Sequence, residues 1–130
     1  MFKEVCKKAR WQAYAVVRIL VGLLFFLFGA MKFGWLGGSE PVQLASMFGV
    51  AGVIEIIVGL ALVLGFLVRR ITVLGSVEML VALVYVHFPQ GWNPIANQGA
   101  IAILFMALFI VLHMHGAGPW SLDKVLWKKE

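Results

Sequence analysis

The stretch FGVAGVIEIIVGLALVLGFLVRRITVLGSVEMLVALVYVHF, residues 48–88, decides the fold. It consists of two long apolar runs separated by Arg69-Arg70, and each run contains a single carboxylate, Glu55 or Glu78. A bilayer core about 30 Å thick needs roughly 17–25 mostly apolar residues per helix, because hydrocarbon offers no partner to an open backbone amide or carbonyl. Residues 48–68 and 71–88 each meet that length, and the arginine pair between them reads as a tight hairpin.

Working outward, Tyr14 to Phe33 forms a further apolar run, and a shorter one starts near Ile95 or Gly99 and ends at Met114. Helix-ending residues separate these runs: Gly37-Gly38-Ser39-Glu40-Pro41 on one side and Pro89-Gln90-Gly91-Trp92-Asn93-Pro94 on the other. The expectation is an all-α chain forming one domain over residues 1–130. Its four transmembrane helices span about 14–33, 48–68, 71–88 and 97–114. Beyond them, residues 121–129 mix Leu122, Val125, Leu126 and Trp127 with Asp123, Lys124, Lys128 and Lys129, so a short amphipathic surface helix capped by Ser121 is expected there.

Of the 130 residues, 62% are hydrophobic and 13% charged, against about 45–50% and 25% in an average soluble domain, which points to the bilayer as the principal partner. The charge of +5 says less than its placement, and a nucleic-acid partner is not expected. Nine of the 11 basic residues fall before the first run, between the second and third, or after the fourth; Lys32 alone is on the opposite side and Arg18 lies inside a run. By the excess of Lys and Arg in short cytoplasmic loops, both termini are expected in the cytoplasm and the protein in the inner (plasma) membrane. Trp11, Trp35, Trp92, Trp120 and Trp127 fall at or beyond the run ends, where indoles prefer the headgroup level. The first run carries no small-residue cleavage site in Phe28-Gly29-Ala30-Met31-Lys32 and reads as retained. The single Cys6 excludes an internal disulfide or a C-x-x-C pair.

Residues three and four apart share a helix face, which gives the stripes Arg18-Gly22-Phe25-Gly29-Lys32, Gly52-Glu55-Gly59-Leu62-Phe66, Gly75-Glu78-Ala82-Tyr85 and Gly99-Ala102-Met106-Phe109-His113. Small and polar residues in a membrane helix face its neighbours, so these stripes are expected to point inward. Depths counted along the runs pair Arg18 with Glu78 in one half and Lys32 with Glu55 in the other. Such pairs can do no more than fix which helices are neighbours, or a carboxylate can handle a proton or a ligand headgroup. His87 falls opposite Glu78 on the wheel and is expected to meet water or a loop. His113 and His115 lack the i, i+4 spacing of a helical metal pair, so no metal site is expected.

The chain resembles the DoxX family of small four-span membrane proteins. The resemblance rests on Arg18, Gly22 and Gly29-Ala30-Met31-Lys32; on Glu55, Gly59, Leu62 and Gly65 before Arg69-Arg70; on His87; and above all on Gly116-Ala117-Gly118-Pro119-Trp120-Ser121-Leu122-Asp123. Family members often place an acidic residue near the start of the fourth helix, where this chain reads Asn97-Gln98-Gly99-Ala100, and Glu78 lies outside the resembled pattern. The resemblance implies a membrane subunit associated with quinone-linked redox chemistry and a partner redox-enzyme subunit. The expected ligand-binding or polar-interior residues are Arg18, Lys32, Glu55 and Glu78, with Phe25 and Phe109 against a quinone or lipid-like ligand. No covalent cofactor is expected. The rival readings are a non-catalytic assembly subunit and a small proton-coupled transporter; known transporters of that size depend on a glutamate in the first span, where this chain has Arg18.

Overall fold

The computed structural model describes residues 1–37 and 40–127. The chain is helical: α1 Phe2–Lys32, α2 Met47–Leu64, α3 Val68–Ala82, α4 Ala100–His115 and α5 Leu122–Trp127. A π-helical turn, Leu83–His87, and a 3₁₀ turn, Phe88–Gln90, continue α3. Among the described residues three stretches are long and apolar enough to cross a bilayer: Phe2–Lys32, Met47–Leu64 and the composite Val68–Gln90. The shorter apolar α4 has 16 residues, about 24 Å at 1.5 Å of rise each.

The helix ends do not coincide with the ends of the apolar runs. α1 starts at Phe2 rather than Tyr14, because Lys3 to Arg10 carries no helix breaker; its 31 residues make a rod about 46 Å long. α2 stops at Leu64 because Gly65 takes the left-handed conformation, φ +69°, which turns the chain out of the helix. The hairpin is therefore Gly65–Leu67, and Arg69 and Arg70 belong to the first turn of α3. α5 was expected over 121–129; Leu122–Trp127 is helical, and residues 128–130 lie outside the described part.

Local chemistry explains the helix starts. The Ser46 hydroxyl accepts from the Gly49 amide at 3.0 Å, a side-chain N-cap for α2. α3 is preceded by Leu67, held at φ +51° at the N-cap, and the amides at its start are satisfied from a distant part of the chain. The Asp123 carboxylate accepts from Leu67 N at 2.7 Å and Val68 N at 3.0 Å. Ser121 in turn accepts from Lys124 N at 3.2 Å, as a cap for α5 should.

The helices pack as two close pairs, α1 on α2 and α3 on α4, with looser contact between the pairs. Glycines set the first pair: a Cβ on Gly59 would lie 2.6 Å from the Gly22 carbonyl oxygen, and one on Gly29 2.6 Å from the Gly52 carbonyl oxygen. In the second pair a Cβ on Gly75 would meet the Phe109 ring at 2.8 Å. Phe25, Val58, Leu62, Val68, Met79, Phe105, Phe109 and Leu112 fill the middle.

The inward stripes hold with one exception. Tyr85, expected inside, is 68% exposed, while Leu83 is buried. The π turn admits one extra residue, so every position beyond it is rotated by about one helical step relative to a continuous α-helix.

Candidate functional site

α1 ends at Lys32, one turn beyond the Gly29–Gly52 contact, and Glu55 stands one turn into α2 from Gly52. That contact brings the two side chains together: Lys32 Nζ donates to Glu55 Oε1 at 2.9 Å and Oε2 at 2.7 Å. The ion pair expected from sequence is thus made, with the Glu55 side chain 5% exposed and that of Lys32 24% exposed. From α3, Glu78 places its carboxyl within hydrogen-bonding reach of Glu55 and within electrostatic range of Lys32. Glu78 is 8% exposed, and its buried Oε2 has no hydrogen-bond partner among the described residues. One cation and two carboxyls therefore meet where α1, α2 and α3 converge.

These three residues form part of the wall of a cleft of about 890 Å³ between the α1–α2 pair and the α3–α4 pair, in the half of the bundle away from the α2–α3 turn. Most of its lining is apolar, with Phe25, Phe28 and Phe105 on one side and Met47, Val77 and Ile101 among the others. Gln98 and His87 are its further polar side chains of note. A volume of roughly 300–1,000 Å³, apolar with a few convergent polar groups, is the usual anatomy of a small-molecule site.

Phe109, expected beside a ligand ring together with Phe25, is fully buried against Gly75 and does not line the cleft. Its ring packs edge-on against that of Phe25, with centroids 5.0 Å apart, and so supports the cleft wall from behind. His87 meets the loop, as expected, through Nδ1 and the Asn97 carbonyl at 2.9 Å, but it also faces the cleft. The π turn explains both this and the outward Tyr85: the residue two places further on comes round to the side from which the tyrosine is displaced.

The expected Arg18–Glu78 pair is not formed. Arg18 is fully buried at the opposite end, where it is surrounded by backbone carbonyls. Nε donates to Leu62 O at 3.0 Å, Nη1 to the carbonyls of Ala117 and Pro119, the latter at 3.0 Å, and Nη2 to Trp120 O at 2.7 Å. The reason is distance. Arg18 lies level with Leu62 and Gly65, whose Cβ would sit 3.2 Å from its Cζ, whereas Glu78 stands ten residues, about 15 Å, further along α3 from Val68. An arginine in a membrane segment costs about 2.5–3.5 kcal/mol on insertion scales, and a fork of charge-assisted hydrogen bonds at about 1.5–3 kcal/mol each offsets it, with no direct ion pair to a carboxylate among the described residues.

The carbonyl cage was not foreseen, although its signal was present. Gly116 and Gly118 take φ +78° and +69°, and Trp120 takes +55°, curling 116–120 so that successive carbonyls point at one guanidinium. The remaining histidines serve packing: His113 Nδ1 meets the Arg69 carbonyl at 2.8 Å while Arg69 Nη1 donates to His113 O at 3.1 Å, and His115 packs against Trp11 and Tyr14.

The family described as TQO small subunit DoxD matches residues 38–130. A Haemophilus influenzae protein described as an uncharacterized protein is 37% identical over 131 residues, covering 95% of this chain and 97% of its own length. An uncharacterized membrane protein of Mycobacterium tuberculosis is 28% identical over 131 residues, covering 87% of this chain and 80% of its own. No solved structure matches.

Proposed function

The chain belongs to the DoxD family, DoxX-like multi-pass membrane proteins, and on that footing we propose that it is the membrane subunit of a quinone-linked redox complex and that the cleft receives a quinone or similar lipid-like molecule. The family takes its description from the small subunit of thiosulfate:quinone oxidoreductase, so the partner by this reading is a redox-enzyme subunit. The distribution of lysine and arginine favours cytoplasmic termini and the inner membrane. The observation that carries the reading is the cleft itself: about 890 Å³ of mostly apolar space with the Lys32–Glu55–Glu78 group in its wall. A ring would lie against Phe25, Phe28 and Phe105, and its oxygens would meet Lys32 and Glu78. Arg18 and Phe109 then act at one remove, holding the ends and the back of the bundle.

The test is binding by the purified chain in mild detergent. Solvent extraction should release quinone, and added decylubiquinone should quench tryptophan fluorescence saturably. Lys32→Met should weaken that binding about tenfold, the equivalent of one charge-assisted hydrogen bond of about 1.4 kcal/mol. No extractable quinone and no saturable quenching would remove the ligand.

A second reading, an assembly subunit without a ligand, draws on the basic start of α1. Lys3, Lys7, Lys8 and Arg10 are exposed on turns that extend past the bundle and offer a surface to an acidic partner. That reading predicts that Glu55→Gln and Glu78→Gln harm stability or recovery of the complex, while the parent chain itself shows no small-molecule turnover.

A further inference from the structure

The two carboxyls and one lysine at the cleft wall leave one charge unaccounted for. Lys32 uses two of its three N–H groups on Glu55, one to each oxygen. Glu78 then lies against an already paired carboxylate, and no group among the described residues donates to its buried Oε2. Two ionised carboxylates in contact away from water repel each other, whereas a carboxyl and a carboxylate share a hydrogen bond. Among the described residues the rest of the cleft wall adds no second cation. α1 contributes Lys32, α2 contributes Glu55, and the π turn contributes His87, whose Nδ1 is engaged with Asn97; the loop before α4 contributes Gln98, and α4 itself lines the cleft with Ala100, Ile101, Ala102 and Phe105.

We propose that Glu55 and Glu78 hold one proton between them, and that Glu78 presents this proton to the head oxygen of the molecule in the cleft. The shared proton brings the three groups to neutrality, which a site lined by hydrocarbon requires. Glu78 also lines the cleft, so a ligand carbonyl that enters it competes with Glu55 for that proton. The second clause rests on the ligand reading above; the first does not.

Dicyclohexylcarbodiimide tests both. It adds as a whole to a protonated carboxyl reached through apolar surroundings: its nitrogen takes the proton, the carboxyl oxygen bonds to its central carbon, and rearrangement leaves a stable N-acylurea. Mass spectrometry of the full-length chain should find the adduct on Glu78, and Glu78→Gln should remove it. In Glu55→Gln the lysine and Glu78 balance each other and no spare proton remains. Labelling of Glu78 should then fall about tenfold or more, the effect of one unit of proton affinity. Lys32→Met, which removes the cation instead, should leave Glu78 labelled and bring Glu55 into the labelled set. An unlabelled Glu78 in the parent chain, or one labelled equally in Glu55→Gln, overturns the shared proton. Decylubiquinone should slow the reaction of the parent chain. If it quenches tryptophan fluorescence yet does not protect Glu78, the presentation to a ligand is overturned. If it produces no quenching at all, the ligand reading fails while the shared proton is still judged by Glu55→Gln.

Discussion

At the scale of single residues, Arg18 and Glu78 show how far side-chain bookkeeping reaches. Both are ionisable groups within apolar helices, and both need a partner, which sequence alone establishes. It also places Lys32 with Glu55, because both depths can be counted from the same end. It fails for Arg18 because a guanidinium accepts any ring of oxygens, and backbone carbonyls leave no mark in a list of acidic side chains. That cage makes a prediction. In Arg18→Lys a single ammonium replaces a planar fork that serves the carbonyls of Leu62, Ala117, Pro119 and Trp120, and it cannot reach all of them. The segment 116–127 should loosen, and trypsin should cut after Lys124 several-fold faster than in the parent chain, read by mass spectrometry; an unchanged cutting rate would mean that the cage does not hold the segment.

At the scale of elements, the apolar runs announce the helices, and the glycine stripes announce which faces meet. What they do not announce is the phase change after Ala82. The sequence Leu83 to His87 contains no glycine or proline to mark a π turn, so the expected stripe continued through Tyr85 while the real one passes to His87. The helix contacts themselves are testable. Gly59→Ala places a methyl 2.6 Å from the Gly22 carbonyl oxygen, and because backbone on both sides must yield, the cost should be about 1–3 kcal/mol, seen as a lower thermal midpoint in detergent. Asp123→Ala removes both acceptors from the first amides of α3 and should cost about 0.5–2 kcal/mol, as loss of a helix cap does. If either variant melts with the parent, that contact contributes less to the bundle than its geometry implies.

At the scale of the whole molecule, the charge distribution makes one end basic and the other nearly free of cations. The protein carries its own reporter of orientation, since the single Cys6 is exposed on the first turns of α1. A membrane-impermeant maleimide should label Cys6 in inverted membrane vesicles and leave it unlabelled in intact spheroplasts; the reverse pattern would place the termini outside. The gross architecture was legible because a hydrocarbon solvent imposes length, polarity and backbone pairing on every segment at once. The cleft was not, because it is a space between pairs and depends on how far apart two faces stand, which no single stripe encodes.

The division into two glycine-clamped pairs carries a mechanical corollary. Within the first pair, backbone meets backbone and cannot slide, so any widening of the space between the pairs must be absorbed at the short bend through Gly65 and Leu67. That bend is fastened from below by the guanidinium of α1 and the carboxylate in the first turn of the last helix. The cleft and its carboxyls thus lie toward one end of the two pairs, and the tail of the chain is tied to the bend at the other.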